Sequence, residues 1–111
     1  MNLREFVKLI NAYCWELQQF CNDLIPELVH RIRTEDQSSG EEHLRKYVRA
    51  QGHLVILFHD TDFRIPDMGN SVRDALKSLI QDIEAINLGN VPKPPEEIEN
   101  FLENKLPSFY F

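Results

Sequence analysis

The N-terminal third of the chain repeats apolar residues at alternating intervals of four and three positions. This is the a/d spacing of a heptad, and it holds at Leu3, Val7, Ile10, Cys14, Leu17, Cys21, Leu24 and Leu28. Phe6, Tyr13 and Phe20 each precede an a position and widen the stripe beyond a two-helix seam. The pattern predicts one long amphipathic helix over residues 3–25, which serves as the spine of an intramolecular bundle.

A proline interrupts this helix near its end. Pro26 lacks a backbone donor and crowds the preceding turn, yet the apolar spacing continues as far as Ile32. Two interpretations therefore stay open. The helix continues, kinked, to residue 33, or it breaks briefly and Asp23 caps a new segment over residues 24–33.

Three more amphipathic segments follow, separated by stretches rich in Gly, Pro, Ser and acidic residues. The predicted helices cover residues 41–60, 71–88 and 94–106, the last as a lid. Residues 54–58 form an apolar run that a short buried strand would also explain. The sequence therefore predicts one helical domain over residues 1–111, an all-α antiparallel bundle of about four helices.

Local signals add several expectations about this bundle. The second of the four helices repeats apolar residues at helical spacing, at Leu44, Tyr47, Val48, Val55 and Phe58. Gly52 in its middle is expected to allow a close helix crossing, and Ser38 or Ser39 to cap its start. Trp15 is expected to pack under a later helix, and the alternative is that it marks a contact surface. The aromatic tail SFYF either folds back on the core or stays exposed.

The composition is that of an ordinary globular chain with an acidic surface. The 111 residues are 42% hydrophobic and 27% charged, with a formal net charge of -6. Such a chain can bury a core without a metal or a disulfide, and no apolar run approaches the roughly 20 residues of a membrane span. The acidic balance disfavours nucleic acid as a partner. Without a signal-peptide pattern, a cytoplasmic protein with no membrane partner is expected.

No motif identifies a reaction. Cys14 and Cys21 would lie about 10.5 Å apart along one helix, too far for a disulfide, so both are predicted to be thiols in the core. The pair His59-Asp60 resembles ligands of metal-dependent hydrolases. Further nominal ligands are His30, His43, His53 and Asp62. Because this signal is so small, the chain is predicted not to be an enzyme and to hold no metal or cofactor.

Protein binding remains, and two loops carry its candidate residues. The loop after residue 58 places apolar side chains among acidic ones, which suits a hot spot for a basic groove. The candidate partner-binding residues are Asp60, Asp62, Phe63, Arg64 and Asp67, with Glu35, Asp36, Glu41 and Glu42 of the first acidic loop. In the alternative interpretation, Phe63 and Ile65 tuck under the helices while the aspartates cap them.

The leading hypothesis is a small acidic protein-interaction module. Its narrower form is an inhibitor or immunity-type protein that occludes a basic partner such as a toxin, an analogy of size, charge and helix content. In that form the loop aspartates mimic a phosphate-rich substrate and Phe63 is the anchor. Two alternatives stay open. The heptad seam could drive self-association into a homo-oligomeric assembly protein, or His59 and Asp60 could belong to a metal-dependent hydrolase.

Overall fold

The computed structural model describes residues 2–60, 68–87 and 90–105 of the chain. This part of the protein is all-α, as the sequence predicts, and contains no strand. The helices are α1 (Leu3–Asp23), α2 (Ile25–Thr34), α3 (Gln37–Asp60), α4 (Met68–Asn87) and α5 (Glu96–Leu102). The four predicted helical segments are therefore present, with the first divided into α1 and α2.

The predicted spine is α1, and its heptad positions face the core. Asn2 caps the helix: its Oδ1 accepts from the Glu5 N–H at 2.8 Å, and the Glu5 carboxylate accepts from the Asn2 N–H at 3.4 Å. This capping box satisfies donors that a helix start leaves unpaired. The buried residues of α1 are Phe6, Ile10, Tyr13, Cys14, Leu17 and Cys21. The heptad seam is therefore used inside the molecule.

Pro26 breaks the spine instead of only kinking it. The Leu24 N–H donates to two carbonyls of the last turn of α1, each at 3.1 Å. α2 then starts at Ile25 with Pro26 in its first turn, where a missing N–H leaves no bond unmade. The expected Asp23 cap is wrong, because Leu24 occupies the cap position and makes no side-chain hydrogen bond.

α3 begins at Gln37, before its predicted start at residue 41. Asp36 Oδ1 accepts a hydrogen bond from the Ser39 N–H at 2.8 Å. This is the contact of a helix cap, so the cap is Asp36, and the expectation of Ser38 or Ser39 is wrong. The first loop therefore shrinks to two residues between helices, Glu35 and Asp36.

Residues 54–58 are helical, so the strand alternative is wrong. Leu54 and Leu57 are buried in the core, whereas Val55 and Ile56 are exposed. Burial that recurs every three to four positions is the signature of a helix, since a strand would bury alternate residues.

The glycine at a helix crossing is Gly40 instead of Gly52. A Cβ placed on Gly40 would lie 3.4 Å from the Ile32 Cα, so α2 and α3 approach closely at this point. A Cβ placed on Gly52 would meet no atom within 4 Å. The expected role of Gly52 in a close crossing is therefore wrong.

The last helices differ from their predictions at their ends. α4 starts at Met68, ahead of the predicted residue 71. α5 is shorter than the predicted helix over 94–106. Beyond it, Asn104 has a φ of 71°, a left-handed conformation that ends helices and that Asn adopts more readily than most residues. Residues 106–111, which include the SFYF tail, lie outside the described residues.

Three helical rods form the bundle: α1 with α2, then α3, then α4. Gln18 contacts Gln51, and Trp15 contacts Phe58, so α1 and α3 run antiparallel. α3 packs most extensively against α4, which follows it after a short connection, so this pair is antiparallel as well. The bundle measures 52 × 21 × 21 Å.

α5 and the segment before it cover the groove between α1 and α4. The segment before α5, residues 90–95, is the connector. The Tyr13 hydroxyl donates to the Pro92 carbonyl at 2.8 Å and holds this connector against α1. The Phe6 and Phe101 rings meet edge to face with centroids 5.3 Å apart, and the Arg73 guanidinium lies over the Phe101 ring at 5.7 Å. α5 is therefore the predicted lid, and all five helices contribute to one core.

Candidate protein-interaction surface

The predicted acidic residues around the α2–α3 junction are mostly engaged within the molecule. Asp36 caps α3. The Glu41 carboxylate accepts from Gln37 Nε2 at 3.1 Å, and the Glu42 carboxylate lies 3.3 Å from Lys46 Nζ. These contacts join residues on successive turns of α3 and are of the kind that support a single helix.

The fourth predicted acidic residue of this region, Glu35, points toward α3. Its Oε2 lies 2.9 Å from the His43 Nδ1. Both atoms are buried, and neither has an aligned hydrogen bond within the described residues. The close approach places this oxygen against α3, while the Glu35 side chain as a whole is 31% exposed. Asp36, Glu41 and Glu42 are nevertheless exposed, so a partner-binding role for these four residues stays a prediction.

The other predicted site residues lie outside the described residues or at their edge. Asp62, Phe63, Arg64 and Asp67 belong to the first gap, and the side chain of Asp60 is not described either. His59 is exposed in the last turn of α3. Among the side chains that the structure describes, no three His, Cys, Asp or Glu residues come together as metal ligands would.

Two polar contacts that the sequence did not reveal tie α4 to its neighbours. Arg49 Nε and Nη2 donate to the two carboxylate oxygens of the buried Asp82, at 2.7 and 2.5 Å. This bidentate contact raises the pKa of Arg49. Arg31 of α2 donates to the Ile86 carbonyl in the last turn of α4. Both contacts join neighbouring helices of the bundle.

One side of the α1–α2 rod carries a second, exposed apolar stripe. It follows three- and four-residue steps of its own, at Trp15, Gln18, Asn22, Ile25, Val29 and Ile32. Trp15 is 60% exposed, so the expectation that it is buried under a later helix is wrong. Its ring and the Phe58 ring meet edge to face, with centroids 6.3 Å apart. The stripe lies beside the core face of the same rod.

α3 carries a matching stripe on the side that faces α1 and α2. Its positions again alternate by four and three residues, at Leu44, Val48, Gln51, Val55 and Phe58. Leu44, Val48 and Val55 are exposed, whereas the apolar side chains of α3 that are buried in the core are Ala50, Leu54 and Leu57. The apolar repeat that the sequence shows for this helix is therefore largely an outer stripe.

Contacts along their length show that the two stripes lie side by side. Trp15 meets Phe58 at one end. Gln18 hydrogen-bonds Gln51 further along. At the other end, Ile32 and Leu44 line one open hollow of about 370 Å³. We call the combined surface the apolar groove; its exposed apolar side chains are Trp15, Ile25, Val29, Ile32, Leu44, Val48 and Val55.

A polar layer crosses the apolar groove. Gln18 Nε2 donates to the Asn22 Oδ1 and to the Gln51 Oε1, each at 3.2 Å. The layer joins α1 to α3 and interrupts the apolar stripes on both. Such a layer within an apolar seam sets which positions can face each other when helices pack, because buried amides need partners.

The apolar groove differs from the groove on the other side of α1. The groove between α1 and α4 is covered by the connector and by α5, through Tyr13 and Phe6. Trp15, Val48 and Val55 stay more than half exposed. Contiguous exposed apolar surface of this kind marks interaction sites in soluble proteins. The spacing of the stripe residues was visible in the sequence, but only the fold shows that two stripes adjoin.

Comparison with known proteins gives no assignment: no family model, curated protein or solved structure matches this chain. Within the described ranges, no helix is both long enough and apolar enough to span a membrane.

Proposed function

We propose that this protein is a small helical protein-interaction module that docks a partner in the apolar groove. The observation that carries the proposal is the pair of adjoining apolar stripes on the α1–α2 rod and α3. Each stripe has the alternating spacing by which helices pack against other helices. Leaving such side chains in water costs free energy that a helical partner would recover.

The sequence also predicts an inhibitor or immunity-type role against a basic partner in the cytoplasm. The distribution of charge supports a place for such a partner away from the groove. Residues 15–59, which include the helices on both sides of the groove, carry seven acidic and five basic residues. Residues 60–111 carry ten acidic and five basic residues. A basic partner would be steered toward this second part of the chain, which contains α4 and α5.

Site-specific photo-cross-linking in the cells that make the protein tests the proposal. A photo-activatable amino acid is placed at position 48 in one variant and at position 56 in the other. Val48 is 61% exposed and Ile56 is 52% exposed, so both positions accept the change without disturbing the core. Ile56 is the matched control, because it lies two turns after Arg49, on the side of α3 that faces α4.

The expected result is a covalent protein adduct from position 48 and none from position 56. The mass of the adduct identifies the partner. Adducts in equal amounts from both positions, or no adduct from either, would contradict a specific docking surface in the groove.

A further inference from the structure

The apolar groove has the shape, charge and polar groups to receive a second copy of itself. We propose that two copies of this chain pack groove against groove as a symmetric dimer. This inference rests on the proposed function, since it names the partner of the same surface.

The two stripes run side by side in opposite chain directions. The α1–α2 rod and α3 are antiparallel neighbours, and each presents alternating three- and four-residue steps. Two such pairs of helices form a four-helix interface when they face each other. A two-fold axis that lies in the interface plane and runs along the groove would place the α1–α2 stripe of one copy on the α3 stripe of the other. Dyad-related interfaces of this kind are the commonest among homo-oligomers.

The size of the exposed apolar surface is in the range that a dimer needs. The seven groove side chains expose on the order of 600 Å², compared with roughly 800 Å² that each partner buries in a stable complex of standard size. Polar side chains along the edges would supply the remainder. A single isolated apolar side chain would carry no such argument.

Charge permits two copies to meet at this surface. The whole chain has a formal net charge of -6, which alone would keep copies apart. Residues 15–59, which include the helices on both sides of the groove, carry seven acidic and five basic residues, a net charge of −2, so most of the acidic excess lies elsewhere in the chain. Glu27 lies 3.1 Å from Arg31, and Glu42 lies 3.3 Å from Lys46, so two of these carboxylates already have cations beside them.

The polar layer distinguishes a second copy from a wholly apolar partner. Gln18, Asn22 and Gln51 carry amides, each with donors and an acceptor. An apolar helix laid across them would bury these groups without partners, which is costly. A second copy brings the same amides, so the two layers can pair across the two-fold axis. This requirement also selects one register of the dimer.

Sedimentation velocity on the purified full chain tests the dimer over a wide range of concentration. The monomer has a mass of 13.1 kDa. For the wild-type protein we expect the fitted mass to rise with concentration toward twice that value. Val48→Asp should remain monomeric, because a carboxylate buried without a partner weakens association by roughly a hundredfold or more.

Two further variants keep the test interpretable. Ile56→Asp introduces the same charge at a similarly exposed position outside the groove and should dimerise like the wild type. Val55→Asp repeats the test inside the groove at a residue that is 58% exposed. Circular dichroism of each variant reports whether the helices are retained. A wild type that stays monomeric throughout, or equal behaviour of the groove and control variants, would overturn the dimer.

The two proposals can fail separately. A monomeric wild type that still gives a cross-link from position 48 to a different protein would overturn the dimer and leave the interaction module standing. A monomer without any cross-link from position 48 would overturn both.

Discussion

Cys14 and Cys21 show how the core face of α1 controls single ionisable groups. Burial raises the pKa of Cys14 from 9.0 to about 12 and that of Cys21 to about 11. Burial also raises the pKa of the neighbouring Tyr13, whose hydroxyl is held by the Pro92 carbonyl. Desolvation disfavours the charged form of each group. These thiols are therefore unionised near neutral pH and act as small apolar core residues.

This burial predicts a loss of stability in alkali. Because the pKa is raised in the folded state, the unfolded chain releases the thiol protons at a lower pH than the folded protein does. The contribution of the two protonated thiols to the free energy of unfolding is complete below about pH 9 and is lost as pH rises through about 11 to 12. For Cys14 the free energy of unfolding should fall by at most about 1.4 kcal/mol for each pH unit in this range. Urea unfolding at a series of pH values measures it.

The control for this prediction is the Cys14→Ala/Cys21→Ala double variant. This variant should lose less stability over the same rise in pH, because it has no thiol to ionise in either the folded or the unfolded state. An equal loss in wild type and variant would assign the effect to other groups, such as Tyr13.

At the scale of the helix, α3 combines a core stripe, an outer stripe and an exposed glycine. Gly52 lies mid-helix, and a Cβ there would meet no atom within 4 Å. Gly40 lies in the first turns of the same helix, where a Cβ would come within 3.4 Å of the Ile32 Cα. Gly40 therefore permits the close approach of α2 and α3, whereas no packing contact requires a glycine at position 52.

The Gly52→Ala variant should be more stable than the wild type by about 0.5–1 kcal/mol, because alanine loses less conformational entropy in a helix. Urea unfolding at one fixed protein concentration measures the difference. Gly40→Ala is the matched comparison, and its gain should be smaller because the new methyl contacts α2. A loss of stability in Gly52→Ala, or a larger gain in Gly40→Ala, would contradict these roles.

The sequence predicted α1 better than α3 for a physical reason. On α1, Phe6 and Tyr13 reinforce one heptad face, so the pattern selects a single direction for the core. On α3, Val48 and Val55 form a stripe as regular as that of Leu54 and Leu57. Hydrophobic period identifies a helix, but it cannot tell which of two apolar stripes meets the core before the neighbouring helices are known.

The candidate site was harder to predict than the fold. Glu41 and Glu42 stand out as acidic residues in the sequence, yet their partners Gln37 and Lys46 lie on the same helix. Trp15 was expected in the core because large aromatic residues usually contribute to it. Its place in an outer stripe depends on Phe58, which lies 43 positions later in the sequence. Local patterns do not report such distant pairings.

In the whole molecule, the two sides of α1 differ in how well they are covered. One side is closed by the connector and α5, and the other leaves the apolar groove exposed. The acidic excess lies mainly in residues 60–111. This division would let the molecule dock through the groove while its acidic part keeps the complex soluble or attracts a basic protein.

Fluorescence of Trp15 reports whether a second copy covers the groove, because Trp15 is the only tryptophan in the chain and lies in the groove with 60% of its surface exposed. Dilute wild-type protein should show red-shifted emission and ready quenching by acrylamide. As concentration rises, emission should shift to the blue and quenching should fall, while Val48→Asp keeps the dilute spectrum throughout. A wild-type spectrum and quenching constant that do not change with concentration would contradict coverage of the groove by a second copy.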